Sequence, residues 1–123
     1  MLKIGLKHTS TLEVSDAITA QSIESGDMPV LATPAMMALM ENAAMIAVRN
    51  SLPEGSTTVG VYIESSHLNP SKLGATVTAT ATLTKIDGRK LYFDVQAHDG
   101  ETLIGEGKHL RFIVDRKHFL EKL

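Results

Sequence analysis

The most continuous hydrophobic pattern in the chain is the segment Ala35–Arg49, in which almost every residue is apolar or favours helices. Thr33 and Pro34 precede it, and a threonine N-cap followed by a proline in the first helical position is a typical helix start. The pattern predicts one long helix with Thr33 as its N-cap. Because the segment is apolar on nearly every side, we expect it to be buried all round.

After this helix the hydrophobic period changes to two. Residues 75–84 alternate small apolar residues with threonine, which predicts a long strand with one hydroxyl-bearing face. Asp87-Gly88 and Asp99-Gly100 separate apolar runs and are typical of tight hairpin turns. The N-terminal region favours one or two short strands and then a short helical turn, at residues 2–14 and 15–21. We expect an antiparallel meander of about four strands after the helix, at residues 58–65, 75–84, 91–97 and 102–114.

These elements predict an α+β fold in which an antiparallel sheet wraps around the long helix, as one domain over residues 1–123. A single curved sheet leaves one side of the helix and one sheet edge uncovered. We therefore expect the chain to pair with a second copy of itself.

Composition narrows the possible functions. The 123 residues include no cysteine, which excludes disulfides, thiolate metal sites and a cysteine nucleophile. A net charge of −2 and only 4% aromatic residues argue against binding to nucleic acid. Lysines interrupt the apolar residues near the N-terminus, and the longest apolar segment is too short to span a bilayer. We expect a cytoplasmic protein with no membrane partner. The histidines are not at metal-ligand spacing, so we expect no metal. Gly105-Glu106-Gly107 lacks the rest of a dinucleotide-binding motif, and we expect no cofactor.

Three polar residues have the chemistry for a reaction. Thr33 lies at the helix start, where free amides and partial positive charge can polarise a carbonyl group, although helix capping alone also explains a threonine there. Glu41 lies within the apolar helix, either as a general base or as a solvated residue at the rim of the sheet. His67 follows a strand and is either functional or a structural or surface histidine; His109, in a later strand, could face either way.

The spacing of Thr33 and Glu41 limits how they can cooperate. Eight helical residues separate them by about 12 Å along the axis and about 80° around it. The two side chains could border one elongated cavity, but they could not touch each other directly.

The order and spacing of these residues resemble a known family. Residues 32–36 (Ala-Thr-Pro-Ala-Met) open the helix, Glu41 follows eight residues after Thr33, and residues 60–74 include Gly60-Val61, His67-Leu68-Asn69-Pro70 and Gly74. Together, over Val14–Val114, they resemble the hotdog fold and specifically the fluoroacetyl-CoA thioesterase-like family. The resemblance implies that Thr33, Glu41 and His67 form the catalytic set and that Gly60 and Arg111 contact substrate.

The resemblance implies a thioester hydrolase acting on acyl-CoA, with sites at the interface of a homodimer that could pair further into a tetramer. The fluoroacetate-resistance member closes its pocket with a phenylalanine-bearing lid, whereas Ser22–Val30 has no aromatic residue. We therefore expect a short or medium acyl group rather than strict selectivity for fluoroacetyl. The alternatives are a non-catalytic acyl-CoA-binding module and an enoyl-CoA hydratase, whose Asp-x-Asn-Pro-x-x-His pattern is absent because His67 precedes Asn69-Pro70.

Overall fold

The computed structural model describes residues 1–123, which form one five-stranded antiparallel sheet with a long helix against it. The strands are β1 (Lys7–Glu13), β2 (Ser56–His67), β3 (Thr76–Asp87), β4 (Lys90–Asp99) and β5 (Thr102–Asp115). The helices are α1 (Ala20–Ile23), α2 (Thr33–Arg49) and α3 (Arg116–Glu121), and a 3-10 turn covers Asp16–Ile18. This is the predicted α+β architecture.

The order of strands across the sheet is β1-β3-β4-β5-β2. Only β3, β4 and β5 form the predicted meander. β2 pairs with β5 at the far edge, so the expectation of four consecutive neighbouring strands is wrong for β2. β1 lies beside β3, and every residue of β1 pairs antiparallel with β3. The two edges of the sheet are therefore the seven-residue β1 and the twelve-residue β2.

The two predicted hairpins are confirmed. Asp87 pairs with Lys90 across a two-residue turn, and Asp99 pairs with Thr102 across another. Gly88 and Gly100 take the first turn position with φ of +60° in both cases. A positive φ at that position alone is typical of a type II′ turn, which glycine enters without steric cost.

The long helix forms where the sequence predicts it, but its first residues differ from the prediction. The N-cap is Ala32, whose side chain makes no capping bond, and Thr33 and Pro34 are the first two helical residues. Thr33 is therefore not the N-cap. Its hydroxyl makes a hydrogen bond with His67 on β2 instead of capping the helix.

Only one face of α2 is buried in the protomer, so the expectation of burial all round is wrong for a single chain. The side chains on this face are packed against β3 and β1, while Ala38 and Asn42 on the opposite side are exposed. The buried helix residues are Met36, Leu39, Met40, Ala43, Ala44 and Val48.

The alternation predicted for β3 is confirmed. Val77, Ala79, Ala81 and Leu83 are fully buried on the concave face, and the threonines between them lie on the other face. Phe93 is the only aromatic carbocycle among the buried residues. The core therefore consists mainly of aliphatic side chains and methionine, as the low aromatic content suggests. None of the helices has the length and apolar character needed to cross a lipid bilayer.

Close contact between β5 and β2 depends on Gly107. A Cβ atom at this position would overlap the carbonyl oxygen of Glu64 on the neighbouring strand. Since the obstacle is backbone, no side-chain rotation could relieve the overlap, and the two strands would have to separate.

We predict that Gly107→Ala lowers the free energy of unfolding by at least about 2 kcal/mol, because overpacking against backbone forces the strands apart. Urea denaturation followed by circular dichroism measures the change. Glu106→Ala is the matched control, since Glu106 is exposed on the same strand. Equal stability of the two variants would contradict the prediction.

Candidate active site

The structure brings Thr33 and His67 together. Thr33 Oγ1 lies 2.7 Å from Nδ1 of His67, which joins the first turn of α2 to the last residue of β2. A hydroxyl paired with imidazole in this way is the arrangement that activates a hydroxyl nucleophile. The other ring nitrogen of His67, Nε2, is buried and has no protein partner.

Burial lowers the pKa of His67 below its ordinary value of 6.5, and the backbone of Asn69 offsets this only in part. The ring is therefore neutral at pH 7, and it can accept a proton from Thr33. A cavity of about 310 Å³ opens beside the pair. It is lined by Ala20, Ser25, Val30, Leu31, Thr33, His67, Leu68, Asn69 and Pro70.

A second group of predicted residues meets further along the helix, around Glu41. Arg111 on β5 is 7% exposed, and its NH1 atom lies 4.0 Å from Oε2 of Glu41. The glutamate side chain is nevertheless 43% exposed. Glu41 is thus neither buried nor simply solvated, because it borders water on one side and a buried guanidinium group on the other.

Gly60 lies directly beneath this group. A Cβ atom on Gly60 would lie 2.8 Å from Oε2 of Glu41 and 3.3 Å from NH1 of Arg111. A β-bulge in β2 follows, because the register with β5 shifts between Gly60 and Tyr62. The lack of a side chain here allows the carboxylate and the guanidinium group to approach the strand closely.

The five residues therefore form two groups in one protomer. Thr33 and His67 line the cavity, whereas Glu41, Gly60 and Arg111 do not. The helical spacing of about 12 Å between positions 33 and 41 explains the separation. No group of three His, Asp or Glu side chains in the structure could hold a metal ion.

Two residues of the second group were not identified as site residues from the sequence. Thr58 accepts a hydrogen bond from Nε of Arg111 at 2.8 Å through its hydroxyl, and its carbonyl accepts one from NH2 at 2.9 Å. His109, 2% exposed, lies 3.2 Å from NH1 of Arg111 through Nε2. The sequence could have indicated His109, because residues 109 and 111 of one strand point to the same face and Arg111 was already a candidate.

Burial lowers the pKa of His109, and the charge of Arg111 lowers it further, while the carbonyl of Tyr62 and the charge of Glu41 act in the opposite direction. Burial also lowers the pKa of Arg111, which Glu41 partly offsets, but a guanidinium group stays charged at any physiological pH. The second group thus contains a fixed positive charge, a carboxylate and a neutral imidazole.

The sequence of this chain matches a known protein family. The model of the family described as "FlK: Fluoroacetyl-CoA-specific thioesterase" matches residues 14–117. The fluoroacetyl-CoA thioesterase of Streptantibioticus cattleyicolor is 38% identical over 104 residues, which covers 84% of this chain and 75% of that protein.

Solved structures agree with the sequence matches. A structure of the fluoroacetyl-CoA thioesterase FlK superposes with a TM-score of 0.91 at 32% identity and covers 99% of this chain and 95% of its own. A thioesterase superfamily member from Thermus thermophilus gives 0.91 at 27% identity, with 99% and 90% covered. The sheet and helix described above are thus the hotdog fold, and the chain belongs to the FlK family of fluoroacetyl-CoA-specific thioesterases.

Proposed function

We propose that this protein is an acyl-CoA thioesterase that hydrolyses a short or medium acyl thioester. The observation that carries the proposal is the bond between Thr33 Oγ1 and His67 Nδ1, at the start of a helix and at the wall of a cavity. Family membership supports the same reaction class.

The residues divide the chemistry as follows. Thr33 attacks the thioester carbonyl, and its hydroxyl proton passes to the neutral ring of His67. His67 returns this proton to the thiolate of CoA as the carbon–sulfur bond breaks. Water then attacks the acyl carbon and gives a proton to Glu41, which acts as the base. This proton passes to the departing oxygen of Thr33 as the ester bond breaks, which restores the threonine hydroxyl and the carboxylate. Amides at the start of α2 and at Gly60 stabilise the oxyanion, and Arg111 contributes positive charge.

The acyl group is limited by the walls of the cavity. Ser25 and Val30 contribute small side chains from the segment before α2, and no aromatic ring lies in Ser22–Val30. A cavity of about 310 Å³ lies at the small end of ligand pockets. These features support a short or medium acyl group without strict selectivity for fluoroacetyl.

Glu41 reaches the other catalytic residues only if a second protomer contributes it. β2 is a long edge strand whose residues 60–62 are exposed, and the uncovered side of α2 lies next to this edge. Pairing two β2 edges about a two-fold axis perpendicular to the strands makes the two α2 helices antiparallel. We propose a register of this pairing in which Thr33 of one chain lies beside Glu41 of its partner. We therefore propose a homodimer with two composite sites, which could pair further into a tetramer.

Loss of either proposed base is expected to lower kcat by about 10²- to 10⁴-fold. The variants are Glu41→Gln and His67→Ala, with Glu121→Gln and His118→Ala as exposed controls that keep wild-type activity. Release of CoA thiol from a panel of acyl-CoA substrates measures the rate, and the absence of cysteine removes any background from the protein. Stabilisation by acyl-CoA without turnover would instead indicate a binding module.

Composite sites predict that two inactive variants restore activity when mixed. Coexpressed Thr33→Ala and Glu41→Gln chains should give about a quarter of wild-type activity, because half of the dimers are mixed and each mixed dimer has one intact site. Light scattering confirms the dimeric mass. Activity no higher than that of either parent would show that each site belongs to one chain.

The rate should depend on the neutral form of His67. Because burial lowers its pKa, the midpoint at which kcat/KM declines on acidification is expected to lie below pH 6.5. A pH series with a stable acyl-CoA substrate measures the profile. An inflection above pH 6.5 that His67→Gln removes would contradict the prediction.

A further inference from the structure

We propose that His109 is a positioning residue that holds Arg111 away from direct hydrogen bonding to Glu41 and so leaves this carboxylate free to act as a base. The inference rests on the proposed function and adds a residue to it. Thr58, His109 and Arg111 are buried on β2 and β5 around Gly60, and the partly exposed Glu41 approaches them from α2.

The hydrogen bonds of His109 determine which ring nitrogen carries the proton. Nδ1 lies 2.7 Å from the carbonyl oxygen of Tyr62, and a carbonyl only accepts, so Nδ1 must be the donor. In the neutral ring Nε2 then has a free lone pair. Arg111 NH1, which can only donate, lies 3.2 Å from this nitrogen. Both partners therefore require the neutral Nδ1–H tautomer.

The contact with His109 and two contacts with Thr58 fix the guanidinium group of Arg111. Thr58 accepts from Nε and NH2, and His109 accepts from NH1, so all three nitrogens of the guanidinium group are hydrogen-bonded to residues of β2 and β5. Phe93 packs beside the imidazole ring, with ring centroids 6.2 Å apart, and limits its movement.

These hydrogen bonds explain the distance between NH1 of Arg111 and Oε2 of Glu41. An unrestrained arginine and carboxylate form bonds of about 2.7 to 2.9 Å, often two at once. Here the gap is 4.0 Å, beyond hydrogen-bond range. A direct bond would stabilise the carboxylate anion and weaken it as a base, whereas a cation held at this distance supplies charge without occupying the oxygen atoms.

Two substitutions separate this role from simple packing. His109→Leu removes the acceptor, so Arg111 is expected to close on Glu41 and kcat to fall by about tenfold or more with little change in KM. His109→Gln should recover most of kcat, because its amide can donate to Tyr62 and accept from Arg111. His118→Leu, at an exposed histidine, is the matched control and should leave kcat unchanged.

A double-mutant cycle tests whether His109 acts through Arg111. In an Arg111→Lys background the His109→Leu substitution should change kcat by less than about threefold, since the guanidinium it restrains is gone. An effect of equal size in both backgrounds would overturn the proposal. Urea denaturation and light scattering of each variant establish that folding and assembly are retained.

The tautomer gives a readout without substrate. In protein labelled with ¹⁵N-histidine, long-range ¹H–¹⁵N spectra at pH 7.5 should show His109 as the Nδ1–H form, with the signal assigned by its loss in His109→Gln. An imidazolium or an Nε2–H ring would overturn the proposal even if the enzyme is active. An inactive wild type with the expected tautomer would overturn the thioesterase function and retain the placement of His109.

Discussion

Close packing of helix α2 into the concave face of the sheet is the constraint on which the other features depend. Ala43 and Ala44 of the helix and Ala79 and Ala81 of β3 are all fully buried, and their small side chains let the two backbones approach closely. Larger residues here would push the helix outward, because protein interiors have no spare volume. The position of the helix then determines where its first turn and its glutamate lie relative to β2.

Because the sheet covers only one face of α2, the polar residues of the helix lie at two separate borders of the core. Thr33 meets His67 at the end of β2, while Glu41 lies above Gly60 beside a buried arginine. A chain that buries a cation must satisfy its donors, and Arg111 does so mainly through Thr58 and His109 rather than through the acid. The carboxylate therefore faces the cation while part of it remains accessible.

The half-buried His67 and the buried His109 both have a lowered pKa because burial penalises the charged ring, yet they act in opposite ways. His67 places Nδ1 against a hydroxyl, and its buried Nε2 has no protein partner. His109 has both nitrogens committed to backbone and arginine. In a chain without cysteine, the proposed hydrolysis rests on a hydroxyl, imidazole and carboxylate, and the proposed role of His109 is to preserve the last of these as a base.

The sequence by itself determined the elements whose signals are local: the long helix, the alternating strand and the two Asp-Gly turns depend on periodicity and on backbone preferences of neighbouring residues. Thr33, Glu41 and His67 were also identifiable, because each is polar in an apolar setting or matches a family pattern. Only the tertiary structure decided that β2 lies beside β5, that Ala32 rather than Thr33 caps the helix, and that His109 faces Arg111. Those outcomes depend on contacts between residues far apart in the chain, and these contacts form only when the sheet curls around the helix.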